Sequence, residues 1–356
     1  MTNDVIYSEV KEMEDLRYLT DFYDEKIARI KSINAPLNFV YITDEHNRMN
    51  QYSLEKDGTK HPGEYELAVN AIRSIQYILD RCPEISFVIN GGDIGNDYHK
   101  DPKAIRESYR EVFDALYSLS VPVHNCVGNH DDALGACKDR GDDTNKYVVL
   151  PEEMYAMCSR YNPTSELYYY FDVEPNYRFV ILNTDDKPFL KDQCGQFAFG
   201  WRMEISQKQA EWFENDALKT QRRIVVISHS PLHNHGIYGT FFAPVGIKAY
   251  DDTLNAPRLY YDIMQTQNVF LQICGHVHHD NIVYDQTLLT ITTQCSLAQE
   301  WAPASPKRTI GTISETAFDV FSITDDVVYM TRFGAGNDRE AHILRPYPFP
   351  VGGFYS

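Results

Sequence analysis

The chain has 356 residues, 43% hydrophobic and 13% aromatic, which is ample for a buried core and excludes a disordered protein. With 33 Lys and Arg against 51 Asp and Glu, it carries a formal charge of −18, distributed along its length. That balance argues against nucleic acid or an anionic membrane as a partner, since both bind through Lys/Arg surfaces, and no 18-residue apolar run exists to span a bilayer.

Residues 1–20 are acidic and lack a signal-type apolar stretch, so a cytoplasmic location is expected. Seven cysteines without paired CxxC spacing read as reduced thiols. Residues 1–34 read as a polar helical extension, ended by Pro36. Residues 37–42 form an apolar run, a predicted strand, that stops at Asp44-Glu45-His46. A helix is predicted over 64–80, with Leu67, Ala71, Ile75 and Ile78 on one face. The strand at 85–89 ends in Gly91-Gly92-Asp93, and Asp101-Pro102 opens the next helix. The run 121–127 leads into Gly128-Asn129-His130-Asp131-Asp132.

This strand–helix–strand alternation predicts a layered α/β fold with parallel strands, whose ligands gather outside the carboxyl ends of the strands. The pattern fades over 133–162, a polar and aromatic insertion. A strand pair follows at 167–173 and 178–183, then a second insertion at 184–201. Ser206 starts a helix, with Gln209 completing a capping-box pattern. The strand at 224–227 ends at Ser228-His229-Ser230-Pro231, and a Gly/His/aromatic loop occupies 232–250. A helix near 257–265 precedes the strand 269–274, which ends at Gly275-His276-Val277-His278-His279. Alternating runs at 281–284, 288–293, 317–323 and 327–332 suggest a second sheet, and 346–356 reads as a surface tail. The expected division is an extension (1–34), one domain with loop insertions (35–332) and a C-terminal tail (333–356).

Taken singly, each polar cluster is an ordinary turn. His276 and His278 say more, because alternate residues of an extended segment point the same way and two imidazoles so placed suit a metal. Together, the order D-x-H, G-D, G-N-H-D, H-x-P, G-H-x-H over 37–280 resembles the calcineurin-like metallophosphoesterase superfamily at every motif. The resemblance implies a four-layer α-β-β-α sandwich of two mixed sheets, with a dinuclear metal site at the C-terminal ends of the strands. It implies that Asp44, His46, Asp93 and His278 bind one metal, and that Asn129, His229, His276 and the shared Asp93 bind the other. It also implies that His130 acts on the leaving group and that Asp131 holds His130. Carboxylate, amide and imidazole ligands without thiolate suit Mn²⁺, Fe²⁺/Fe³⁺ or Zn²⁺ better than a structural zinc. Two divalent ions also outweigh Asp44 and Asp93, making the pocket locally cationic in an acidic protein.

The implied reaction is phosphoester hydrolysis, as a phosphatase or a phosphodiesterase, by in-line attack of metal-bound hydroxide. The expected substrate is a small soluble phosphoester under walls from 133–162, 184–201 and 232–250, the three long stretches between motifs. Their aromatics, Tyr147, Tyr155, Phe197, Phe199, Tyr238, Phe241 and Phe242, favour ordered walls. His233 and His235 either line that pocket or are solvated loop histidines, whereas His124 and His279 read as structural. Departures from the resemblance are informative. The arginines of the Ser/Thr protein phosphatase motifs are absent, and Asn96 stands where purple acid phosphatases carry their tyrosine. A binding scaffold with a degraded metal site is the alternative from another class, and a nuclease is disfavoured by the charge.

Overall fold

The computed structural model describes residues 17–48, 68–233, 255–297, 305–309 and 311–345. The elements begin with α1 (Thr20–Ile33), β1 (Leu37–Ile42), α2 (Ala68–Arg81), β2 (Ile85–Asn90), α3 (Pro102–Leu116) and β3 (Val123–Asn125). Three short helices follow: α4 (Leu134–Arg140), α5 (Thr144–Tyr147) and α6 (Pro151–Cys158). The second half comprises β4 (Tyr169–Val173), β5 (Tyr177–Leu182), α7 (Gln207–Trp212), β6 (Arg223–Ser228), α8 (Ala256–Gln265) and β7 (Val269–Cys274). The closing strands are β8 (Asn281–Asp285), β9 (Leu288–Thr292), β10 (Ala317–Ile323), β11 (Val327–Gly334) and β12 (Arg339–His342).

Two six-stranded mixed sheets result, in the orders β12-β11-β10-β1-β2-β3 and β4-β5-β6-β7-β9-β8. Period-two alternation sorts each central strand between two cores, which is why these strands read as continuous apolar runs. In β1, Leu37, Phe39 and Tyr41 face the other sheet, while Val40 and Ile42 pack under α1, α2 and α3. In β5 and β6, Phe179, Ile181, Val225 and Ile227 fill the middle, while Val180, Leu182, Ile224 and Val226 meet α7 and α8. Helices thus cover both outer faces, giving the expected four layers. β1 pairs parallel with β2, and β6 parallel with β7, so the polar ends of these strands emerge on one rim.

Several expectations need correction. The closing strands do not form a sheet of their own. β9 adds to β7 with β8 outside it, while β10 to β12 add to the first sheet through β1. β12 falls in the stretch read as tail. The insertion 133–162 is not a loop but holds α4 to α6, each too short to show periodicity; Pro151 opens α6, and the Asp143 carboxylate caps α5 by accepting from the N–H of Asn145 at 3.1 Å. The run 121–127 supplies only three strand residues. At Ser206 only half the capping box forms. Its Oγ accepts from the N–H of Gln209 at 3.1 Å, but the Gln209 amide is drawn to Asn183 on β5's end. The start of the 64–80 helix, His235, Tyr238, Phe241, Phe242 and the tail 346–356 lie outside the described residues. Among the described residues, no helix is long and apolar enough to cross a membrane.

A buried ion network ties the first sheet to the histidine loop after β7. Arg332 on β11 grips Asp319 on β10 through two 2.9 Å bonds and reaches Asp280 at 2.6 Å; Arg339 on β12 contacts both carboxylates. Asp280 lies two residues beyond His278. Because Asp319 and Arg332 are fully buried, Asp319→Ala strands guanidinium charge and is expected to destabilise the fold by about 3–5 kcal/mol. Urea unfolding checks this, with the exposed Lys103–Glu107 pair as a control whose removal leaves the midpoint in place.

Candidate metal centre

The rim where the sheets meet gathers two groups of potential ligands. Asp44, His46 and His278 present ligand atoms within 4.8 Å of one another, as do Asp93, His229 and His276. Asp44 and His46 follow β1, Asp93 follows β2, His229 follows β6, and His276 and His278 follow β7. The two groups touch. Oδ2 of Asp93 lies 3.0 Å from Nε2 of His229 and 3.8 Å from Nε2 of His46, so one carboxylate faces both. Nε2 of His278 is 3.2 Å from Nε2 of His46 and 3.1 Å from Oδ1 of Asp44.

Backbone geometry aims these side chains. Asp44, His46, Asp93, His276 and His278 all have positive φ, between 40° and 67°, a region that costs non-glycine residues about 1–3 kcal/mol each. The turns are braced by cross-loop bonds. Asp44 and His46 donate their N–H groups to the carbonyls of Gly92 and Asp93 at 2.9 Å each, and the His276 N–H donates to the Asp44 carboxylate at 3.0 Å. Two glycines permit close approach: a Cβ on Gly128 would lie 2.2 Å from Oδ1 of Asp93, and one on Gly275 would lie 2.4 Å from Oδ2 of Asp44. Gly275→Ala is therefore expected to displace Asp44, lowering bound metal and costing about 1–3 kcal/mol from overpacking. Elemental analysis beside thermal unfolding separates the two effects.

The donor set fits divalent cations. Nδ1 of His229 donates to the Gly91 carbonyl at 2.8 Å, which turns Nε2 toward the cluster; burial opposes charge there, but Asp93 and Asp44 outweigh it and raise the imidazole to about 9, so a bound cation would take the place of the Nε2 proton. Burial holds His46 and His276 down to about 3, so both imidazoles are neutral, the form that ligates. Against burial, His278 and His229 hold the Asp44 carboxyl down at about 2. Asn129 sits between Gly128 and His130, both beside Asp93, and its buried Oδ1 accepts no hydrogen bond among the described residues, as a ligand oxygen suited to a cation would.

The expected partner of His130 is a different residue. Nδ1 of His130 lies 2.8 Å from Oδ2 of the buried Asp97, not on Asp131. The Asp131 carboxylate instead accepts three backbone N–H bonds, from Gly128 at 2.7 Å, Ile94 at 2.9 Å and Asp93 at 3.0 Å, and so ties the second motif to the third. Burial opposes charge on His130, but Asp97 and Asp93 outweigh it and raise the imidazole to about 9. The signal for Asp97 was present in Gly92-Asp93-Ile94-Gly95-Asn96-Asp97, a second carboxylate four residues after the first.

The His46 and His130 rings meet edge to face at 5.0 Å, placing His130 beside the first group. The first two insertions pack on each other, with Thr144 donating to Gln196, Lys138 to the Phe197 carbonyl and Trp201 to Asp139. Trp201 closes on His130 at 4.7 Å between ring centroids. His233 stacks on Tyr260 of α8 at 4.5 Å, and His235 lies outside the described residues. His124 is a core residue stacked on Phe171 at 3.5 Å.

Residues 37–280 match the calcineurin-like phosphoesterase family. A Coxiella burnetii protein named "Probable cyclic nucleotide phosphodiesterase" is 28% identical over 232 residues, 64% of this chain and 73% of its own. The manganese-dependent ADP-ribose/CDP-alcohol diphosphatase of Bos taurus is 29% identical over 29% of this chain and 31% of its own length. The Mus musculus protein of that name is 24% identical over 41% and 52%. The chain thus spans about a third to a half of those two diphosphatases. Among solved structures, a dimetal phosphatase from Danio rerio superposes with a TM-score of 0.60 at 18% identity, covering 87% of this chain and 99% of the other. That likeness speaks to the fold.

Proposed function

The chain belongs to the calcineurin-like phosphoesterase family and is a metal-dependent phosphoester hydrolase, and from that premise we propose that its substrate is a small soluble phosphoester. The observation that carries the catalytic part is the shared carboxylate: Oδ2 of Asp93 faces both ligand groups at 3.0 and 3.8 Å. Asp44, His46, His278 and Asp93 would hold one ion, and Asp93, Asn129, His229 and His276 the other. When bound, a pair of divalent ions supplies Lewis-acid charge to the phosphoryl oxygens and an activated water for in-line displacement.

The residues around the ligands have their own tasks. With Nδ1 committed to Asp97, His130 presents Nε2 as the proton donor to the departing oxygen, and Asp97 stabilises the charged imidazole before that transfer. Asp131 keeps the loops of Asp93 and Gly128 in register through its three backbone bonds. Trp201, at the end of the 184–201 stretch, packs on His130 at 4.7 Å, which supports a small molecule over a folded phosphoprotein. The relatives' names, a cyclic nucleotide phosphodiesterase and ADP-ribose/CDP-alcohol diphosphatases, support the same substrate class.

A panel of small phosphomonoesters, phosphodiesters and diphosphates, assayed with added Mn²⁺ and again after chelation, tests this. Turnover of small esters that chelator abolishes and Mn²⁺ restores is the expected result. Metal-dependent turnover confined to phosphoproteins or nucleic acids would overturn the substrate class.

A further inference from the structure

Two aromatic rings sit beside His130, and neither has a part in the chemistry above. The Trp201 indole lies 4.7 Å from the His130 ring and the Tyr98 ring 6.2 Å from it. Tyr98 and Trp201 are 6.2 Å apart at 34°. Both are only half-buried, although large aromatic rings contribute most when fully covered.

The indole is fixed rather than mobile. Its Nε1 donates to Asp139 of α4 at 2.9 Å, and it presses so closely on Gly135 that a Cβ there would fall 2.1 Å from Cδ2 of the indole. A ring held this way loses little rotamer freedom when something stacks on it. The two rings are too close to admit a third between them, since two van der Waals gaps need about 7 Å. With His130 they make a cluster of three rings. His130 meets His46 at 5.0 Å and Trp201 at 4.7 Å, so one ring links the ligand groups to the indole, a span within reach of a nucleotide whose phosphate is held by the ligands.

We infer that Tyr98 and Trp201 form a stacking ledge for the planar base of a nucleoside phosphoester, whose phosphate lies at the ligand groups and whose sugar passes His130. The inference rests on the phosphoester-hydrolase reading and narrows its substrate to a base-bearing one. Stacking accepts any base because every base has a π face, so the ledge selects for the presence of a base and not for its identity.

Isothermal titration of the metal-loaded full chain with adenosine 5′-monophosphate and with ribose 5-phosphate tests the ledge. Both carry a ribose 5-phosphate unit, and they differ at C1′, where only the first bears a base. The base is expected to tighten binding about 5- to 150-fold, the range seen for one stacked base. Trp201→Leu and, separately, Tyr98→Leu should bring that ratio toward one, and Trp201→Phe should keep most of it. Taking the ratio cancels any disturbance of His130, and two independent variants guard against one that fails to fold. Equal binding of the two ligands by the unaltered chain, or a ratio that survives both leucine variants, overturns the ledge and leaves the hydrolase reading standing. Binding of neither ligand also overturns the ledge, and the ester panel decides the hydrolase reading independently.

Discussion

Asp93→Asn is expected to disturb both ligand groups at once and to lower kcat by at least about 10³-fold, because Lewis-acid stabilisation contributes several kcal/mol. The reason is geometric. One oxygen of Asp93 faces His229 and His46, and the other accepts the backbone N–H of His130 at 2.9 Å. An amide of the same shape keeps one acceptor oxygen but loses the charge that offsets the two cations. Metal analysis of the purified variant should therefore show loss at both positions, from two ions per chain toward none. Asn129→Ala should lower only the second. A variant that retains two ions and near-normal turnover would mean that Asp93 is not shared.

His130→Ala should separate substrates by their leaving groups. An alkyl ester needs its departing oxygen protonated, so its kcat should fall about 10²–10⁴-fold. A p-nitrophenyl ester releases a stable phenolate and should fall far less. Asp97→Asn should copy this selectivity in milder form, since Asp97 alone meets the ring at Nδ1 among the described residues. Asp131→Asn should not copy it. Its loss loosens the Asp93 and Gly128 loops, so it should weaken metal binding and depress both esters together. Steady-state kinetics on paired esters decides the matter, and an equal loss on both from His130→Ala would make His130 a positioning group.

Much of the fold is legible in the sequence for one physical reason. Strands buried on both faces must be largely apolar, so 37–42, 85–90 and 269–274 stand out as runs, and a polar cluster at the end of each has no place in a core. The order of five such clusters carries the family, and the Asp, His and Asn positions they contain are the ones the strand ends bring to one rim. Short elements were not legible. Helices of four to eight residues between 134 and 158 span too few turns to display a period, and the closing strands carry no mark of which sheet they will join.

What only the tertiary structure decided is who touches whom. Asp131 is next to His130 in the chain, yet its carboxylate turns to three loop N–H groups, while Asp97, 33 residues away, meets the ring. Trp201 reaches His130 from a separate insertion, and Arg332 reaches Asp280 from another strand. The sequence determines the chemical types available at the strand ends. Their partners follow from backbone turns, five of them at positive φ, that point neighbouring residues in different directions, and no local pattern records where a side chain is then aimed.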